Sequence, residues 1–160
     1  MIKQRIMSVM TTGAVFAIGM TAAVAADHPA IGTWRLNLAK STDESTDAPP
    51  KSETFVFASS AKGISLSTRI VRADGKVVEG KGEPVKWDGM AHPETRDPDH
   101  DSITVKQVGA QTIEWAMTKN GAPVRSGTLA VSRDGKTMTV SGASGTAKGK
   151  VYFNYIFDRK

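Results

Sequence analysis

Short stretches of the chain alternate between apolar and polar residues at every second position. Trp34, Leu36 and Leu38 share one parity, as do Ile64, Leu66 and Ile70. The same spacing recurs at Ile103 and Val105, at Ile113, Trp115 and Met117, and at Leu129 and Val131. It returns at Met138 and Val140, then at Val151, Phe153, Tyr155 and Phe157. A period of two puts each apolar set on one face of an extended strand, with the other face in water. Four dipeptides, Asp74-Gly75, Asp88-Gly89, Asn120-Gly121 and Asp134-Gly135, punctuate these stretches. Such pairs adopt the positive φ angles of tight hairpin turns. Consecutive hairpins make a meander, and a meander of this size removes its exposed edges by closing on itself. The pattern therefore predicts an all-β fold: an antiparallel up-and-down meander of eight to ten strands closing into a barrel. An open two-sheet sandwich is the alternative.

Little else competes with strand. Leu38–Asp47 is polar and runs into Pro49-Pro50, which predicts one helical turn at most. Residues 41–52 and 91–101 read as polar loops, and Pro93 and Pro98 argue against strand in the second.

The first 26 residues have a different pattern. Lys3 and Arg5 precede an uncharged, largely apolar run from Ile6 to Val24, which ends in Val24-Ala25-Ala26. A basic start, an apolar middle and small residues at the end predict a secretory signal peptide, cut before Asp27 or Ala26. The expectation is a signal peptide over 1–26 and one barrel domain over 27–160. The short basic leader points to a bacterial periplasmic or secreted protein. No later stretch approaches a membrane span.

Composition narrows the function. The formal net charge is +5, but two of those charges, Lys3 and Arg5, belong to the leader. The remainder is spread out, with no basic run interleaved with aromatics, so no nucleic-acid partner is expected. The chain has no cysteine, which excludes disulfides, a thiol nucleophile and thiolate metal sites. A monomer is the expected state. His92, Glu94, Asp97, Asp99, His100 and Asp101 crowd one Pro-broken stretch, without the spacing of a calcium loop or a helical His pair. That stretch reads as solvated loop, and no metal or cofactor is expected. No Gly-x-Ser-x-Gly elbow and no phosphate-binding glycine loop appears, so no catalytic residue is assigned. Glu114 alternates away from Ile113 and Trp115 and should face water.

The inward parities leave one candidate site. Leu66, Ile103, Trp115, Met117, Phe153 and Tyr155 come from different strands and should meet inside the barrel. They either fill it or line a pocket for a small hydrophobic ligand. Such a ligand would be uncharged or weakly anionic, because no acid lies on those parities.

Gly32-Thr33-Trp34 opens the first strand, and the run from Ile31 to Ser41 resembles the start of small secreted bacterial lipocalin-like proteins, mostly of unassigned function. Ala48–Ser52, Ala73–Lys76, Trp87–Pro93 and Val131–Val140 are similar to later pieces of that group, in order. His92 stands where the group has a tyrosine, and the second lipocalin motif and its cysteine pair are absent. The resemblance implies a lipocalin-like barrel that binds a small apolar molecule. It also implies that a basic residue near the last strand packs across Trp34, and Arg159 matches that role. Arg35 alternates outward. A filled structural barrel and an enzyme of the same fold group are the other readings.

Overall fold

The alternating stretches become eleven strands in the computed structural model, which describes residues 28–45, 48–94, 99–146 and 149–160. The expected leader, residues 1–26, lies outside the described residues. The strands are β1 (Gly32–Leu36), β2 (Thr42–Asp43), β3 (Ser52–Ser60), β4 (Gly63–Val71), β5 (Val77–Lys81) and β6 (Asp88–Pro93). They continue with β7 (Ser102–Gln107), β8 (Thr112–Lys119), β9 (Ala122–Val131), β10 (Thr137–Thr146) and β11 (Gly149–Arg159). All belong to one sheet, in the order β5-β4-β3-β1-β11-β10-β9-β8-β7-β6, with β2 pairing beside β11. Ten strands thus form the antiparallel meander expected from the sequence, and the two-residue β2 is an addition to it.

The last strand pairs with the first, so the sheet curls around one core. The edge strands β5 and β6 are neighbours in the chain, and no ladder joins them among the described residues. The link between them folds back on β4 instead: Ile64 and Val85 exchange two backbone hydrogen bonds of 2.9 Å. Gly63, at φ +131°, permits this approach, since a Cβ there would stand 2.5 Å from the Val85 carbonyl oxygen. Inward residues of every parity set meet in the core, and Trp34, Met138 and Phe157 are fully buried.

Three expectations change at the ends of strands. Asn120-Gly121 is a two-residue hairpin turn with both φ angles positive, as expected. Asp88-Gly89, however, is not a turn. It lies inside β6, where the register with β7 shifts between Asp88 and Ala91, and Gly89 (φ +79°) supplies the bulge. Pro93 likewise ends a strand rather than sitting in a loop. β6 is an edge strand, where a missing N–H breaks no ladder. Finally, the loop expected over 41–52 contains β2, which pairs through Asp43 and Thr42 with Phe153 and Asn154. The polar stretch at Leu38 does form a single 3₁₀ turn, over Leu38–Lys40. Among the described residues no helix is long and apolar enough to cross a membrane.

Candidate functional site

The floor of the barrel is built by the Gly32-Thr33-Trp34 run. Trp34 is paired with Arg159 on one side and Phe55 on the other. Its indole N–H donates to the Ala30 carbonyl at 2.7 Å. The Arg159 guanidinium lies 4.1 Å from the centre of the Trp34 ring, as the resemblance implied. Three carbonyls hold it there: Gly135 at 2.6 Å, Ile31 at 3.0 Å, and Pro29. The one arginine therefore ties the chain's entry, the β9–β10 turn and the last strand to the same tryptophan. Arg35 faces outward, as expected. His28 completes this end. It is buried edge-on against Trp87 with 4.8 Å between ring centres, and burial holds its pKa below the ordinary value. Its Nδ1 accepts the Ala30 N–H, which puts the proton on Nε2, an atom without a partner.

The barrel also holds a cavity of about 170 Å³, partly open to solvent and mostly apolar. Five of the six residues expected from parity line it: Leu66, Ile103, Trp115, Met117 and Tyr155. Phe153 lies behind them, its ring stacked on Tyr155 at 5.0 Å and facing Trp115 at 6.2 Å. Trp115 and Phe153 are separated by two strands, at positions filled by Gly127 and Gly142. These two glycines leave the space over which the rings lean together. A Cβ on Gly127 would stand 2.9 Å from the Trp115 ring, and one on Gly142 would stand 3.0 Å from the Phe153 ring.

The lining is not free of charge, which corrects the expectation that no acid faces inward. Glu53, Glu83 and Glu94 all reach the cavity, and so does Arg125. Glu53 continues the inward parity of Phe55 and Phe57 on β3. Arg125 continues that of Leu129 and Val131 on β9. Arg125 packs its guanidinium on the Phe153 ring at 4.4 Å and near the Trp115 ring at 5.8 Å. Its Nε is buried without a hydrogen-bond partner. Burial pushes the Glu53 carboxyl up to about 7, and the positive charge of Arg125 only partly opposes this. Glu114 faces water, as its parity requires.

Tyr155 gives the cavity a fixed hydroxyl. Its O–H donates to the Asp43 carboxylate, and so joins β2 to the wall. Burial, then this hydrogen bond to Asp43, raise the Tyr155 pKa. Burial pushes the Asp43 carboxyl up as well, but hydrogen bonds from Tyr155 and Ser45 outweigh it and leave Asp43 below the ordinary carboxylate range. β2 thus acts as a clip whose one acid stays ionised and whose partner stays protonated. The acidic stretch near residue 97 gathers no group of three metal-ligating side chains among the described residues, and residues 95–98 lie outside them. His92 there bonds Asp88 at 3.1 Å.

No protein-family model matches the chain, and no curated protein matches it by sequence. Among solved structures it is similar to the zebrafish ileal bile acid-binding protein complexed with cholic acid. The two share 9% sequence identity over 82% of this chain and 99% of that one, with a TM-score of 0.48.

Proposed function

We propose that the protein is an exported carrier or sensor of one compact, largely apolar molecule held inside the barrel. The cavity carries this reading. It is bounded by side chains from many strands and lined mainly by aromatic and aliphatic groups with a few polar ones. That is the usual make-up of a small-molecule site. A void of roughly 150 Å³ is enough for a benzene-sized molecule. About 170 Å³ therefore suits a body of one or two rings, and the open side allows a longer ligand to protrude. The charged start, apolar run and small-residue end of residues 1–26 support export to a bacterial periplasm or medium. The lipocalin-like run from Ile31 supports a binding rather than a catalytic role.

Trp87 and Trp115 both line the cavity and report on it. A panel of compact terpenoids, retinoids and fatty acids should change tryptophan emission saturably. Met117→Trp, which fills part of the space, should weaken that response while the strand spectrum persists. Absence of saturable binding across the panel, with Met117→Trp destabilised by about 1–3 kcal/mol as in an already filled core, would leave only the structural reading.

A further inference from the structure

The charged groups in the cavity say what kind of molecule fits it, provided the cavity is a ligand site as proposed above. We propose that the occupant is an organic acid whose anionic group sits at the Arg125 guanidinium, and that Glu53 takes up a proton from solvent as the acid binds.

Arg125 is the source of this inference. A guanidinium stays charged at every physiological pH and offers five N–H donors. Here it packs on ring faces, with the Glu53 and Asp43 carboxylates within electrostatic range, and Nε is buried without an acceptor. An unmet charged donor beside an apolar cavity is costly, and a carboxylate or sulfonate oxygen is the group that best satisfies it. Trp115 and Phe153 hold the guanidinium from behind, so it is placed before the ligand arrives.

Glu53 sets the condition. It faces the same cavity from β3, and Arg125 is the cation that favours its ionised form. An anion at Arg125 cancels that support and adds a like charge in a poorly solvated space. Protonation of Glu53 relieves both effects. The neutral carboxyl then has an O–H to donate to the bound acid. Tyr155 and Asp43 do not compete for the role. Tyr155 on β11 is held protonated by Asp43 on β2, and Asp43 is held ionised by its hydrogen bonds. Glu83 after β5 and Glu94 after β6 are the other acids of the lining, and Arg125 is the cation among the lining residues, which makes it the place for an anion.

Naphthalene-2-sulfonate and its neutral sulfonamide test this, because the sulfonate itself does not titrate in the working range. Calorimetric titrations would run from about pH 5.5 to about pH 8.5 in phosphate and in Tris, whose ionisation enthalpies differ. The sulfonate should bind at least about tenfold tighter than the sulfonamide at the acid end. Its affinity should fall by up to about tenfold per pH unit above neutrality. Its apparent enthalpy should differ between the buffers, which reports proton uptake. Glu53→Gln should remove the slope and the buffer effect and keep the preference for sulfonate. Arg125→Gln should abolish that preference, and Arg125→Lys, which keeps the charge if the glutamine variant fails to fold, should retain it in weakened form. Equal binding of sulfonamide and sulfonate overturns the acid but leaves the carrier reading standing. A preferred sulfonate with no pH slope overturns the role of Glu53. If neither compound binds saturably, while the panel of uncharged apolar molecules does, the acid is again refuted. If nothing binds at all, the carrier reading fails and takes this inference with it.

Discussion

Gly32→Ala adds one methyl group at the surface end of a strand, yet its cost should be that of a core disruption. Two separate penalties act there. Gly32 has φ +131°, a conformation that side-chain-bearing residues rarely adopt, and holding alanine in it costs about 1–3 kcal/mol. The new Cβ would also stand 2.5 Å from Nη1 of Arg159. An arginine tip usually moves aside cheaply, but this one is pinned by the carbonyls of Gly135, Ile31 and Pro29 and lies on the Trp34 ring. Moving it breaks that set. Because Arg159 is partly in solvent, water recovers some of the loss, and the net cost is about 1–3 kcal/mol. The two together come to about 2–6 kcal/mol, or a fall in Tm of roughly 8–20 °C for a domain of this size. A double-mutant cycle by urea unfolding separates them. In an Arg159→Met background there is no guanidinium to displace, so Gly32→Ala should cost only the backbone part. If the two substitutions instead add to within about 0.5 kcal/mol, the contact with Arg159 is not why glycine is needed. A neutral Gly32→Ala would mean that neither the backbone angle nor the arginine requires glycine at the start of the Gly-x-Trp run.

Glu53 makes stability fall as pH rises. Its pKa is raised in the folded state to about 7, so the stabilisation is complete below the unfolded value near 4.5 and is lost as pH climbs through 7. Glu53→Gln should therefore match the parent near pH 4 and exceed it near pH 8 by no more than about 3 kcal/mol, measured by denaturation at both pH values; parallel curves would show that Glu53 is solvated. Gly127→Ala should be severe, because the Cβ would stand 2.1 Å from the Ser141 carbonyl oxygen, a backbone atom that cannot step aside. Overpacking costs about 1–3 kcal/mol or more, and Trp115 emission should shift with it; an unchanged melting curve would mean that β9 and β10 are not so close.

How far the sequence spoke for this fold differs from residue to residue. Alternation placed Leu66, Ile103, Trp115, Met117 and Tyr155 on inward faces, and the lining of the cavity follows from those faces. Asn120-Gly121 was legible because a two-residue turn needs two positive φ angles. Asp88-Gly89 was not, since the same dipeptide also suits a bulge, and only pairing with β7 distinguishes the two. β2 gave no signal: Thr42 and Asp43 are both polar and are held by β11 and Tyr155 rather than by an apolar face. Glu53 and Arg125 were readable in principle. Each keeps the parity of the apolar residues beside it, Phe55 and Phe57 for the acid and Leu129 and Val131 for the arginine. Hydropathy assigns such residues to water, while register assigns them to the interior, and here register prevails. The meeting of Trp115 and Phe153 over Gly127 and Gly142 depends on pairing across three ladders, which no local pattern encodes.

The claim that the barrel is a carrier is tested most directly by native mass spectrometry of the protein isolated from the organism that makes it, without denaturation or detergent. A carrier of this kind should show a population heavier than the polypeptide by the mass of one compact acid, lost on mild collisional activation and depleted in Arg125→Gln. A single unliganded mass in the parent protein, unchanged after incubation with the naphthalene sulfonate and the apolar panel, would contradict it.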